Sequence, residues 1–136
     1  MENLDLSYQR ALDHLSRFGF KSLDSLDRDI VTVWNWSAAV NNGGFLYLYR
    51  SKEGDTAFHA PQAFRRIGAM RTAEIAEHAN SQFGHSGPST SRAERVSFLA
   101  SVSAASKTRW EELERELLAL DEDCDELLEQ FIKSTR

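Results

Sequence analysis

The sequence has one cysteine, Cys124, so no disulfide can form within the chain. It has two prolines and no run of about 18 apolar residues of the kind that spans a bilayer. The opening stretch MENLDLSYQR is polar and acidic and lacks the apolar segment of a secretory signal. These absences predict a cytoplasmic protein that does not enter a membrane. The sequence patterns of common chemistries are missing too. There is no GxxxxGK[ST] phosphate loop, no GxGxxG, no GxSxG and no HExxH. Without a CxxC pair, a structural zinc site has no support. No repeat of 20–50 residues is present, which argues against a solenoid.

What is present suits one packed domain. The 136 residues include eight Phe, three Tyr and three Trp, enough for a single core. Every periodic segment reads as helix. Leu4, Tyr8, Ala11, Leu12, Leu15 and Phe18 recur at three- and four-residue steps, and Gly19 follows as a stop. After SLDSLDRD, which offers several N-caps, Leu26, Ile30, Val33, Trp34, Ser37 and Val40 mark a second helix ending at 41–44. Phe45, Leu48 and Tyr49 resume the spacing; helix is preferred to strand, because no second strand exists to pair with it. SKEGDT at 51–56 reads as a turn. Pro61 fits the first position of a helix whose inner face is Ala63, Phe64 and Ile67 and which Gly68 breaks. Met70, Ala73, Ala76, Ala79 and Phe83 then point inward from the next.

GHSGPSTS at 84–91 is a loop, and Ser91 with Glu94 reads as a capping box opening a helix that carries Val96 and Leu99. Trp110, Leu113, Leu117, Leu120, Cys124, Leu127 and Phe131 step by three and four, a heptad seam that leaves room for a homodimer. Asp121 within the DED at 121–123 could cap a new helix, so one long helix and two short ones both fit. The expectation is an all-α fold: a single domain, 1–136, forming an irregular bundle of about six or seven helices.

Charge is uneven. Residues 111–136 hold ten acids (Glu111, Glu112, Glu114, Glu116, Asp121, Glu122, Asp123, Asp125, Glu126 and Glu129) against three bases, a net of −7. Residues 1–110 hold 11 acids and 13 bases, a net of +2. A surface helix ordinarily shows a charged outer face, but a one-sided segment can also be a partner surface. In a single helix the acids would span roughly 27 Å at about 1.5 Å per residue. That is one per roughly 3 Å, close to the ~3.4 Å phosphate spacing of a DNA strand. They occupy several flanks, however, and follow no single track.

Other candidates are thinner. Glu74 and His78 lie at i, i+4 and, with Glu77, could line a metal-dependent cleft. No further ligands stand out, so no metal and no cofactor are expected. His14, His59 and His85 read as surface or loop residues. Cys124 sits among acids that disfavour its thiolate, and reads as a small buried hydrophobe. Arg65, Arg66, Arg71, Arg92 and Arg95 are scattered, which favours a solvated face over direct nucleic-acid binding.

Asn42-Gly43-Gly44-Phe45, then Gly54-Asp55, then Ile67-Gly68-Ala69 stand in a specific order. From about residue 31 to the C-terminus this resembles a bacterial family of all-helical proteins that contains a DNA-mimic protein. Family members often have Gln and Asn in the helix after the glycines, where this chain has Tyr47 and Ser51. The resemblance implies a small helical bundle. It also implies that surface carboxylates occupy the DNA-binding surface of another protein, such as a transcription factor. The residues themselves predict a non-enzymatic, protein-binding role centred on the ten acids; an immunity-type protein that neutralises a toxin is the alternative, with the small metal-dependent enzyme behind it. In NNGGF, one glycine is expected to take a positive φ where a helix ends, dropping Phe45 into the core.

Overall fold

The computed structural model describes residues 4–135 and is organised around one long helix. The first three residues of the polar N-terminal stretch, and the base Arg136 counted above, lie outside the described residues. In chain order the α-helices are α1 (Leu4–Phe18), α2 (Ser25–Arg50), α3 (Ala60–Arg66), α4 (Met70–Ser81), α5 (Arg92–Ala100), α6 (Ala104–Ala119) and α7 (Cys124–Thr135). Two 3-10 segments, Phe20–Ser22 and Lys52–His59, join the first three helices, and no strand occurs among the described residues. None of these helices is long and apolar enough to cross a membrane.

α2 is central because its sequence is apolar nearly all round. Asp29 to Val33 are buried without a break, and Asn35, Trp36, Ala39 and Val40 follow. A helix buried on every side needs neighbours on every side. α1, α3, α5, α6, α7 and the 3-10 segment Lys52–His59 all pack against it. Asp24 starts it, accepting from the Asp27 N–H at 2.8 Å.

The core is a chain of rings. Phe64 meets Trp36 edge-on at 4.9 Å, Trp36 meets Phe45 at 5.7 Å, and Tyr49 meets Phe83 at 4.6 Å and Trp110 at 5.4 Å. Two buried polar ends find partners, since Tyr49 Oη donates to Asn80 Oδ1 at 2.7 Å and Trp110 Nε1 donates to the Ala79 carbonyl at 2.9 Å, whereas Trp36 Nε1 has none among the described residues. Aromatic pairs of this kind add about 0.5–1.5 kcal/mol each beyond the area they bury.

Several inward assignments need correction. Phe18 is 65% exposed and Met70 54% exposed. Each sits at a helix end, where the stripe runs past the edge of the core. Trp36, not Trp34, is the core indole of α2; Trp34 is half-buried and stacks on Tyr8 at 4.6 Å. Val96 is exposed, whereas Arg95 beside it is wholly buried. The capping box of α5 is only half formed. Ser91 Oγ accepts from the Glu94 N–H at 3.3 Å, but the Glu94 carboxylate accepts from Ser89 Oγ, which in turn accepts from the Ser91 N–H.

The C-terminal seam divides at residues 120–123, giving two helices rather than one. Trp110 and Leu113 are buried, and Leu117, Leu120, Cys124, Leu127 and Phe131 pack partly buried against the same core. In α7 the buried positions are Leu128 and Ile132, one residue off the heptad register, because the break rotates the second helix. The seam therefore faces this chain's own core, and the single-helix spacing of acids does not apply.

Candidate functional site

Eight of the ten C-terminal acids are exposed: Glu111, Glu112 and Glu116 on α6, Asp121 and Asp123 in the link, and Asp125, Glu126 and Glu129 on α7. Arg109 Nη1 lies 3.5 Å from Glu112 and 3.3 Å from Glu116. Exposed pairs of this kind contribute about 0–1 kcal/mol, so the carboxylates stay available. Asp123 also caps α7, accepting from the Glu126 N–H at 3.1 Å.

The other two acids point inward and do structural work. Gly44 interrupts α2 with φ 78° and ψ −169°, a region open almost only to glycine. The interruption leaves the Phe45 N–H without a helical acceptor, as at any helix start. Glu114 of α6 supplies one, its Oε1 accepting at 2.7 Å. The contact is so close that a Cβ on Gly44 would collide with that oxygen. Gly43 is constrained as well, since a Cβ there would lie 2.6 Å from Tyr47 Cβ. Asn41 and Asn42 are exposed. NNGGF is thus a kink stapled by an acid 69 residues away.

Glu122 does the same for α4. Gly68, at φ 89°, ends α3, and Ala69 gives α4 no capping side chain. Glu122 accepts from the N–H groups of Arg71 at 3.0 Å and Thr72 at 2.8 Å, and from Thr72 Oγ1 at 2.6 Å. Partial burial pushes its carboxyl up, but these hydrogen bonds and the Arg71 charge outweigh that and hold it below the usual carboxylate range. The only sequence signal was negative: a helix opening on Ile67-Gly68-Ala69 has no local cap, so its acceptor must come from elsewhere.

Beside Glu122 is a small cleft of about 350 Å³, lined by Trp36, Asn41, Leu117, Asp123, Cys124 and Asp125 among others. Cys124 Sγ donates to Thr72 Oγ1 at 3.5 Å. Burial pushes the thiol up, the Thr72 hydroxyl opposes that, and the charges of Glu122, Asp125 and Asp123 add to it. The thiol is held protonated chiefly by burial, with the acidic surroundings read from the sequence adding to it.

The remaining candidates do not converge. Glu74, Glu77 and His78 are all exposed, and Glu77 pairs with Arg65 at 3.0 Å. Among the described residues no group of three or more His, Cys, Asp or Glu side chains could hold a metal ion. His59, read as a surface or loop residue, is buried and bonded through Nε2 to Asp29 Oδ1 at 2.9 Å, with Arg66 Nε 3.3 Å from Oδ2. Nothing local in the sequence signals that pairing across 30 residues.

Arg95, read as part of a solvated face, is wholly buried. It donates to the carbonyls of Tyr49 (2.9 Å), Ser89 (2.8 Å) and Ser51 (2.8 Å), and to Asp55 Oδ1 (2.7 Å). Gly54 leaves room for it, since a Cβ there would lie 3.1 Å from Arg95 Nε and would collide with the Leu48 carbonyl. Gly54-Asp55, noted in the sequence as part of an ordered set, is the receptor for this guanidinium.

No curated protein and no solved structure matches the chain. A family model described as DMP19-like protein matches residues 21–135. The match bears out the resemblance drawn from the sequence and starts ten residues before it, taking in the cap and first turns of α2. The chain belongs to the DMP19-like protein family.

Proposed function

We propose that this protein works by binding another protein, as a DNA mimic whose outward carboxylates occupy the DNA-binding surface of a regulatory protein. One observation carries the reading. Eight acids remain exposed along α6, the link and α7, while the two half-buried ones, Glu114 and Glu122, are committed to backbone N–H groups of other helices. Family membership supports it, since the DNA-mimic activity implied by the resemblance belongs to that family. A surface of this sign attracts basic proteins, speeds their encounter and repels nucleic acid itself. No catalytic step and no metal form part of this reading.

The test is charge reversal where no internal hydrogen bond is lost. Glu111→Lys, Asp125→Lys and Glu129→Lys together should leave the helical circular dichroism unchanged. They should weaken binding to a captured basic partner about tenfold or more, as expected when a charged interface is reversed. Raising salt from about 50 to about 200 mM should weaken the parent complex in the same direction. Binding that survives both changes overturns the proposal.

A further inference from the structure

A larger groove, of about 1050 Å³, opens between α1, the 3-10 turn Phe20–Ser22, α2 and the 3-10 segment Lys52–His59. No residue of α6, the link or α7 lines it, so it is separate from the acidic surface. Leu12, Leu15, Phe20 and Phe58 supply apolar walls. Phe58 and Phe18 at its edge stay 41% and 65% exposed. Exposed aromatics beside an apolar concavity are a mark of binding, and the volume is at the upper end of the ~300–1,000 Å³ typical of small-molecule sites.

The polar groups in the groove are mainly donors. Asn35, 7% exposed, accepts from Tyr8 Oη through Oδ1 at 2.9 Å, and its Nδ2 donors have no acceptor among the described residues. Arg28 is held in place by the carbonyls of Phe20 and Lys21 and lies over the Phe20 ring, 5.5 Å from its centroid. It pairs with no carboxylate among the described residues, and nor do Lys21 and Lys52. Asp55 is already committed to Arg95, leaving Glu53 to face three cations. In a chain of net charge −5, this groove carries an excess of positive charge.

We propose that the groove binds a small amphipathic carboxylate, its apolar body along Leu12, Leu15, Phe20 and Phe58 and its acid at Arg28 and Lys21. Asn35 is seven residues further along α2, about 10 Å at 1.5 Å per residue, and donates to an oxygen in the body of the ligand. The three cations disfavour a positively charged amphiphile of the same length.

Dodecanoate, kept below its micelle concentration, is a suitable probe, with dodecyltrimethylammonium as the control, both followed by backbone amide NMR. The expected result is saturable shifts confined to α1, residues 19–22, residues 28–35 of α2 and residues 52–58, with the cation binding about tenfold more weakly or not at all. Lys21→Glu with Lys52→Glu, two exposed side chains, should weaken dodecanoate about fivefold or more while leaving the spectrum otherwise folded. Absence of saturable shifts, shifts scattered over the surface, equal binding of the cation, or unchanged affinity in the double variant would each overturn the proposal. The comparison on the parent chain stands even if the double variant does not fold.

Discussion

Two sets of charges in this protein look alike in composition and differ entirely in use. Arg95, Glu114 and Glu122 are turned into the fold, where each satisfies backbone groups that the chain's own kinks and turns have left unpaired. The eight outward acids of α6, the link and α7 face solvent, and of these only Asp123 caps a helix. The inward charges bear on stability, and the outward ones are those proposed to meet a partner. A count of net charge merges the two and overstates the exposed acids of this segment by two carboxylates.

Arg95→Leu should break the inward set most severely. It leaves the carbonyls of Tyr49, Ser51 and Ser89 without their donor in a buried site, for a loss of about 4 kcal/mol in urea unfolding. Gly44→Ala comes next, at about 3 kcal/mol, since it strains the backbone and strikes Glu114 Oε1. A double-mutant cycle sharpens the point: in a Glu114→Ala background the same substitution should cost less, because the collision is gone.

Glu122→Gln should cost about 1 kcal/mol at neutral pH, the usual value of a helix cap. Its pH dependence has a definite sign. The carboxyl is held below its ordinary value in the folded state, so its contribution is complete above that ordinary value and is lost as pH falls through the lower folded value. Stability curves of parent and variant should therefore converge in acid; curves that stay parallel would show that Glu122 is no cap. Smallest of all, Glu111→Gln, Asp125→Asn and Glu129→Gln together should shift stability by no more than about 0.5 kcal/mol in the same unfolding assay. A loss as large as that of Glu122→Gln would erase the distinction between inward and outward acids.

The sequence made the helices legible because their signals are local. The three- and four-residue spacing, Pro61 at the start of α3 and Gly68 at its end all act within one or two turns. Gly44 was legible in kind, as a glycine needed where α2 breaks, but the acceptor for the Phe45 N–H that follows it was not. Glu114 is 69 residues away on a face that reads as solvent. Arg95 was hidden for a like reason: three of its four acceptors are backbone carbonyls, which every sequence has and none displays. The break at 120–123 was visible as a cap candidate at Asp121, but choosing between one helix and two required the packing of α7 on α2. The acidic surface was legible as composition. Which acids belong to it depended on the tertiary contacts of two of them.

Displacement by DNA tests the central claim most directly. The protein is immobilised and loaded with extract from its native cells, and bound proteins are then eluted with a short DNA duplex at constant ionic strength. The account predicts that basic, DNA-binding proteins are released by the duplex and are not retained by the Glu111→Lys, Asp125→Lys, Glu129→Lys variant. Partners that stay bound against excess duplex, or that bind the reversed surface equally well, would contradict it.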